Sequence, residues 1–104
     1  MKIKIIYTTT DSDNTANNIA KFLVKKKLSP CIQMAHNIRS TYNWKDNLEN
    51  SNEILLIIKT IPEKVNDCKE LILRYHNYDT PELIVMDGEI LNNEYMNWFV
   101  KNSQ

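Results

Sequence analysis

At 104 residues the chain is long enough to bury one core and too short to divide into two, so it is read as a single domain spanning residues 1–104. Hydrophobic residues make up 42% and charged residues 25%, a balance that excludes a disordered or low-complexity class. Thirteen basic and thirteen acidic side chains cancel, which removes the electrostatic basis for nucleic-acid binding or for attachment to an anionic membrane.

No apolar run approaches the ~18 residues of a bilayer-spanning helix, and the start MKIKIIYTTTD has no signal-peptide core. With only two cysteines, Cys31 and Cys68, the expectation is a cytoplasmic protein with reduced thiols. The basic run Lys25–Lys27 falls at a predicted helix end, where cations suit the helix dipole, and is read as solvated.

In chain order, Lys2 to Thr10 alternates polar and apolar residues and predicts a strand. Asp11 and Asp13 are candidate caps for a first helix whose stripe is Ala16, Ile19, Ala20, Leu23 and Lys27, closed by Ser29-Pro30. From Cys31 onward, Ile32, Met34, Ile38, Tyr42 and Trp44 share one parity, which predicts a long strand with all five on one face. The polar tract Lys45 to Asn52 reads as a hairpin tip, followed by EILLIIKT (53–60), whose lack of alternation suggests burial on both faces.

A second helix is expected from Pro62, suited to a first helical turn, to Tyr75 or His76, with Cys68 on its apolar stripe. Pro81 then forces a break, and Leu83 to Met86 predict a buried strand. Asn92 and Asn93 are candidate caps for a last helix carrying Tyr95, Met96, Trp98, Phe99 and Val100. The order βαββαβ plus a C-terminal helix is that of an α+β, ferredoxin-like domain with a four-stranded antiparallel sheet and a long hairpin between its second and third strands. Two helices cover only one face of such a sheet, so the other is expected to be covered by the last helix, by the hairpin, or by a second copy.

The stretch RYHNYDTPELIVM (74–86) gathers His76, Tyr78, Asp79 and Glu82 at the junction of helix and strand. These groups could do acid–base work, but no serine lies in a nucleophile-elbow pattern and a single glycine rules out a phosphate-cradling loop, so no enzymatic activity is assigned. Cys31 and His76 are possible soft metal donors, yet no CxxC or HxxxH spacing accompanies them, and each also reads as a structural residue. The strand EILLIIKT lacks the aromatic residues on which an RNA-recognition sheet stacks bases. Tyr42 and Trp44 near the hairpin tip would be exposed in a monomer, which favours self-association.

Taken together, TTTD (8–11), LSPCIQ (28–33), IRSTYNWKDNLE (38–49), EILLIIKT, HNYDTPEL (76–83) and YMNWF (95–99) resemble the CutA family of divalent-cation tolerance proteins along nearly the whole chain. The resemblance implies a compact homotrimer associated with copper or other divalent metal ions, requiring no cofactor and contributing to metal-ion response. It also implies an intersubunit hairpin through Tyr42 and Trp44, a cleft lined by Lys59, His76, Tyr78, Asp79 and Glu82, and a metal site drawing on Cys31, His76 and Glu82. Asn77 stands where the family usually has proline, and Asn37 and Asp46 stand where glycines are common; Asn and Asp tolerate the conformations that glycine adopts. The alternative is a trimeric sensor of a small anion, or a protein scaffold, related in architecture to PII signalling proteins, with Lys59 and His76 on the anion.

Overall fold

The computed structural model describes residues 1–104. Its elements are β1 (Lys2–Thr10), α1 (Asp13–Lys25), β2 (Cys31–Trp44), β3 (Asn47–Thr60), a single 3-10 turn (Pro62–Lys64), α2 (Val65–Tyr75), β4 (Ile84–Glu89) and α3 (Asn93–Lys101). The strands form one antiparallel sheet in the order β2-β3-β1-β4, the expected α+β arrangement.

Strand pleating sorts the side chains to two faces. Ile6 on β1 and Ile54, Leu56 and Ile58 on β3 turn toward Ala16, Ile19 and Leu23 of α1 and Cys68, Leu71 and Ile72 of α2, and together form the main core. Cys68 is therefore a packed core residue, as its place on the helical stripe suggested. The other face is closed only at one end, where Phe99 of α3 is buried against Ile3 and Ile90. Elsewhere on that face Tyr7, Leu55 and Ile57 are left half-buried. EILLIIKT thus buries one of its faces fully and the other only in part, against the expectation of two buried faces.

The structure corrects four further expectations. The α1 N-cap is Ser12, whose Oγ accepts the Thr15 amide at 3.1 Å, while Asp13 is the first helical residue. Lys27 is off the stripe: α1 ends at Lys25 and Lys27 adopts φ 59°, letting the Leu28 and Ser29 amides return to the Leu23 carbonyl. The hairpin tip is only Lys45-Asp46, with φ 52° and 66° as a tight two-residue turn requires, so the tract 47–52 is strand. Finally, β4 is a sheet edge rather than a buried strand, with Ile84, Val85 and Met86 exposed by 47%, 51% and 37%. An apolar run does not distinguish a buried strand from an uncovered edge.

The most consequential difference lies in β2. Its pairing with β3 slips between Ala35 and Ile38, and Asn37 takes φ 61° to make the bulge. Ile32 and Met34 pack on the main core, but beyond the bulge Ile38, Tyr42 and Trp44 pair with Glu53, Glu49 and Asn47 and lie on the opposite face. A shared sequence parity therefore does not give a shared face. The one glycine, Gly88, lies where β4 passes β1 so closely that a Cβ would stand 3.0 Å from Ile5 Cδ1.

Thr8, opposite Leu56 and wholly buried, has an Oγ1 without a hydrogen-bond partner. Replacing Thr8 by the near-isosteric valine removes an unpaired hydroxyl from the core. Denaturant unfolding of Thr8→Val is expected to show a gain of about 1 kcal/mol.

Candidate functional site

Pro81 disfavours helix at Thr80, and α2 has already ended at Tyr75, followed by the cap residue His76 with extended dihedrals (φ −70°, ψ 142°). Its imidazole is then held on both sides. Nε2 donates to the Thr9 carbonyl at 2.9 Å, and Nδ1 accepts the Tyr78 amide at 3.0 Å. This pair of bonds selects the neutral ring with its proton on Nε2. Burial pulls the His76 pKa below its ordinary value of 6.5, only partly opposed by the bond to Thr9.

The residues after His76 extend the attachment. Asn77 Oδ1 accepts the Thr10 hydroxyl at 2.6 Å, and its Nδ2 donates to Asp11 at 2.8 Å. The Tyr78 hydroxyl donates to Glu53 Oε2 at 2.6 Å, and the Thr9 hydroxyl donates to Glu82 Oε2 at 3.2 Å. Burial, and then Glu53 beside it, push the Tyr78 phenol above its ordinary pKa. The turn 76–82 is thereby pinned to β1 and β3 at the hairpin end of the sheet.

Between this turn and the hairpin runs a groove of about 740 Å³. Ser40, Thr41, Tyr42 and Trp44 of β2 and Glu49 and Glu53 of β3 form one wall, Asn77–Thr80 and Glu82 the other, and Thr9 lies between. The wall holds four carboxylates and no lysine, arginine or histidine. None of the four is ion-paired: the chain's charged contacts are Met1 with Glu89, Lys4 with Asp87, and His36 with Asp13.

Of the residues singled out in the sequence, Tyr78, Asp79, Glu82, Tyr42 and Trp44 meet in this groove. His76 stands behind the wall and positions Tyr78. Lys59 and Cys31 do not join them. They are register partners, on a rung four residues from Leu55, the β3 partner of Thr9, hence about 13 Å along the strand. There burial and the Cys31 side chain push the Tyr95 phenol up to about 12. Cys31, His76 and Glu82 are thus not gathered within one chain, and no three His, Cys, Asp or Glu side chains stand in a metal-holding group.

Sequence reasoning passed over Glu49 and Glu53. Glu53 carried a usable signal, a lone acid opening an apolar strand, but Glu49 lay inside the tract taken for a loop. Only the bulge brings Tyr42 and Trp44 to their side.

A family model described as CutA1 divalent ion tolerance protein matches residues 4–102. The chain belongs to the CutA1 family. Among CutA relatives, the Protein CutA homolog of Xenopus laevis is 38% identical over 92 residues, covering 88% of the chain and 61% of that protein's length. The Divalent-cation tolerance protein CutA of Thermus thermophilus is 29% identical over 100 residues, covering 96% and 97%. The crystal structure of the divalent ion tolerance protein CutA1 from Ehrlichia chaffeensis superimposes with a TM-score of 0.91 at 32% identity, covering 98% of the chain and 95% of its own. That of CutA from Archaeoglobus fulgidus, described as a periplasmic divalent cation tolerance protein, gives 0.91 at 30% identity over the whole of both chains. The CutA1 fold therefore applies to this chain.

Because the folded state depresses the His76 pKa, the unfolded chain takes up this proton first as pH falls. The stabilisation is complete above about 6.5 and is lost progressively below it. Thermal unfolding should show Tm falling from pH 6.5 downward, with a shallower fall in His76→Gln. Tyr78→Phe strips a charge-assisted bond from the nearly buried Glu53 and is expected to cost about 1–3 kcal/mol in denaturant unfolding.

Proposed function

We propose that three copies of this chain close into a ring that gathers divalent cations at acid-lined grooves, serving divalent-cation tolerance in the cytoplasm. The observation that carries this reading is the charge of the groove. Glu49, Glu53, Asp79 and Glu82 face one opening without a basic residue in its wall, in a chain of zero net charge. Such a wall attracts cations and repels anions. It weighs against the anion-sensor reading, because Lys59 lies off the groove and both His76 ring nitrogens are engaged.

Tight chelation of a soft metal by Cys31, His76 and Glu82 does not fit one chain, since only Glu82 of the three reaches the groove. Carboxylate oxygens suit hard divalent ions better than copper, and the association we infer is weak and exchangeable. No catalytic step belongs to it. The cytoplasmic setting rests on Cys31 and Cys68, both unbridged.

The ring is supported by what one chain leaves uncovered. Tyr7, Leu55 and Ile57 continue across the open face to Ile84 and Met86 at the β4 edge. The edges β2 and β4 lie at opposite sides of the sheet, so joining one to the other in a neighbouring copy is a head-to-tail contact, the kind that makes a ring where its rotation closes. Tyr42 and Trp44 stand on the same side as that open face.

Light scattering is expected to give three times the 12.3 kDa chain mass, reduced by Ile84→Lys with Met86→Lys; the mass of one chain overturns the ring. Calorimetric titration with magnesium, manganese and copper should lose its heat in Glu53→Gln with Glu82→Gln and keep it in Cys31→Ser with His76→Ala. The opposite pattern would move the metal to the thiol and imidazole.

A further inference from the structure

The end of the sheet away from the groove carries a contact that joins the two sides of the molecule. The helices α1 and α2 lie on one face and α3 on the other. Lys64, at the end of the 3-10 turn, reaches both: its ammonium donates to the Lys27 carbonyl at 2.7 Å and to the Ser103 carbonyl. Each acceptor stands two residues past a helix, Lys27 after α1 and Ser103 after α3. Helix C-termini carry partial negative charge and unpaired carbonyls, so one cation serves two of them at once. Lys64 forms no ion pair with a carboxylate.

Little else holds α3. It is nine residues long, shorter than the ~12–15 that an isolated helix needs in water, and Phe99 is its one buried residue. Phe99 packs with Ile3 and Ile90 in a small cluster separate from the main core. Tyr95 adds a contact with the Cys31 side chain. The link from β4 runs through Leu91, which is 90% exposed, and the N-cap Asn92 makes no side-chain capping bond. Past the helix Ser103 is buried again, its hydroxyl donating to the Phe99 carbonyl at 2.7 Å, so the Lys64 bond acts at the far end of the segment from Leu91. A segment with few buried apolar side chains and a small cluster of its own opens at a lower free energy than the whole domain.

We propose that α3 is a strap and Lys64 its latch: the ammonium holds the strap closed across the end of the sheet, and its removal lets α3 open as a unit about Leu91 while the main core stays folded. Opening uncovers Ile3 and lengthens the apolar face that continues through Ile5 and Tyr7. The latch lies at the opposite end of the sheet from the groove and stands whether or not the groove takes cations.

The test is hydrogen exchange, read by mass spectrometry on the full chain in its assembled state. In wild type, residues 93–101 are expected to exchange faster than α1 and α2. Lys64→Met, which keeps the length and removes the charge, is expected to speed exchange in α3 a further tenfold or more, the size of losing a hydrogen bond to a charged group, and to leave α1 and α2 unchanged. Lys64→Arg, which keeps charge and donors, is expected to stay closer to wild type, and Phe99→Leu, which thins the buried anchor, to open α3 selectively. Exchange of α3 in wild type as slow as that of α1 and α2, as a neighbouring copy clamping the helix would give, overturns the strap. Acceleration of all elements together in Lys64→Met, or failure of that variant to fold, shows that the ammonium serves the main core and overturns the latch. So does an unchanged α3 in Lys64→Met where Phe99→Leu opens it.

Discussion

Seven consecutive rungs between β1 and β3, from Lys4 with Thr60 to Thr10 with Ile54, form the axis on which everything else is hung. This pairing places Ile6, Leu56 and Ile58 on one face, where α1 and α2 can cover them, and commits Tyr7, Leu55 and Ile57 to the other. Two helices are enough to dry one face of a four-stranded sheet, and α3 dries only an end of the second. The uncovered remainder follows from the topology rather than from any single residue. It leaves an apolar surface that burial against another copy would stabilise at about 25 cal/mol per Å².

The same axis organises the polar end of the molecule. Thr9 and Thr10 finish β1, and the turn after α2 comes to them: Thr9 supplies a carbonyl to His76 and a hydroxyl to Glu82, and Thr10 supplies a hydroxyl to Asn77. A neutral imidazole thus aligns a loop that has no regular structure of its own. Tyr78 completes the fastening on β3, so the turn is tied to two strands of the sheet.

Much of the architecture was readable because local signals agreed with the tertiary outcome. Lys2 to Thr10 begins with the alternation of a strand, Pro62 marks the 3-10 entry to α2, and Asn92 takes the N-cap position of α3, although its side chain makes no capping bond. The failures are equally local. A run such as Ile84-Val85-Met86 states that something apolar will be adjacent, not whether it belongs to the same chain. The bulge at Asn37 is invisible to periodicity, because it consists of one residue in a left-handed conformation inside an otherwise regular strand. The candidate site suffered most from this, since the faces of Tyr42 and Trp44 and their closeness to Glu49 depend on that residue, whereas the cluster His76 to Glu82 needed no long-range knowledge to be noticed.

The bulge also separates two kinds of information along one strand. Before it, Ile32 and Met34 report to the core; after it, Tyr42 and Trp44 report to the groove. Side chains beyond Asn37 are therefore released from the packing demands that govern the residues before it, although both halves hydrogen-bond to the same β3. A substitution in the hairpin's outer half therefore alters the groove wall without opening the main core, and Asn37 marks the boundary between the two.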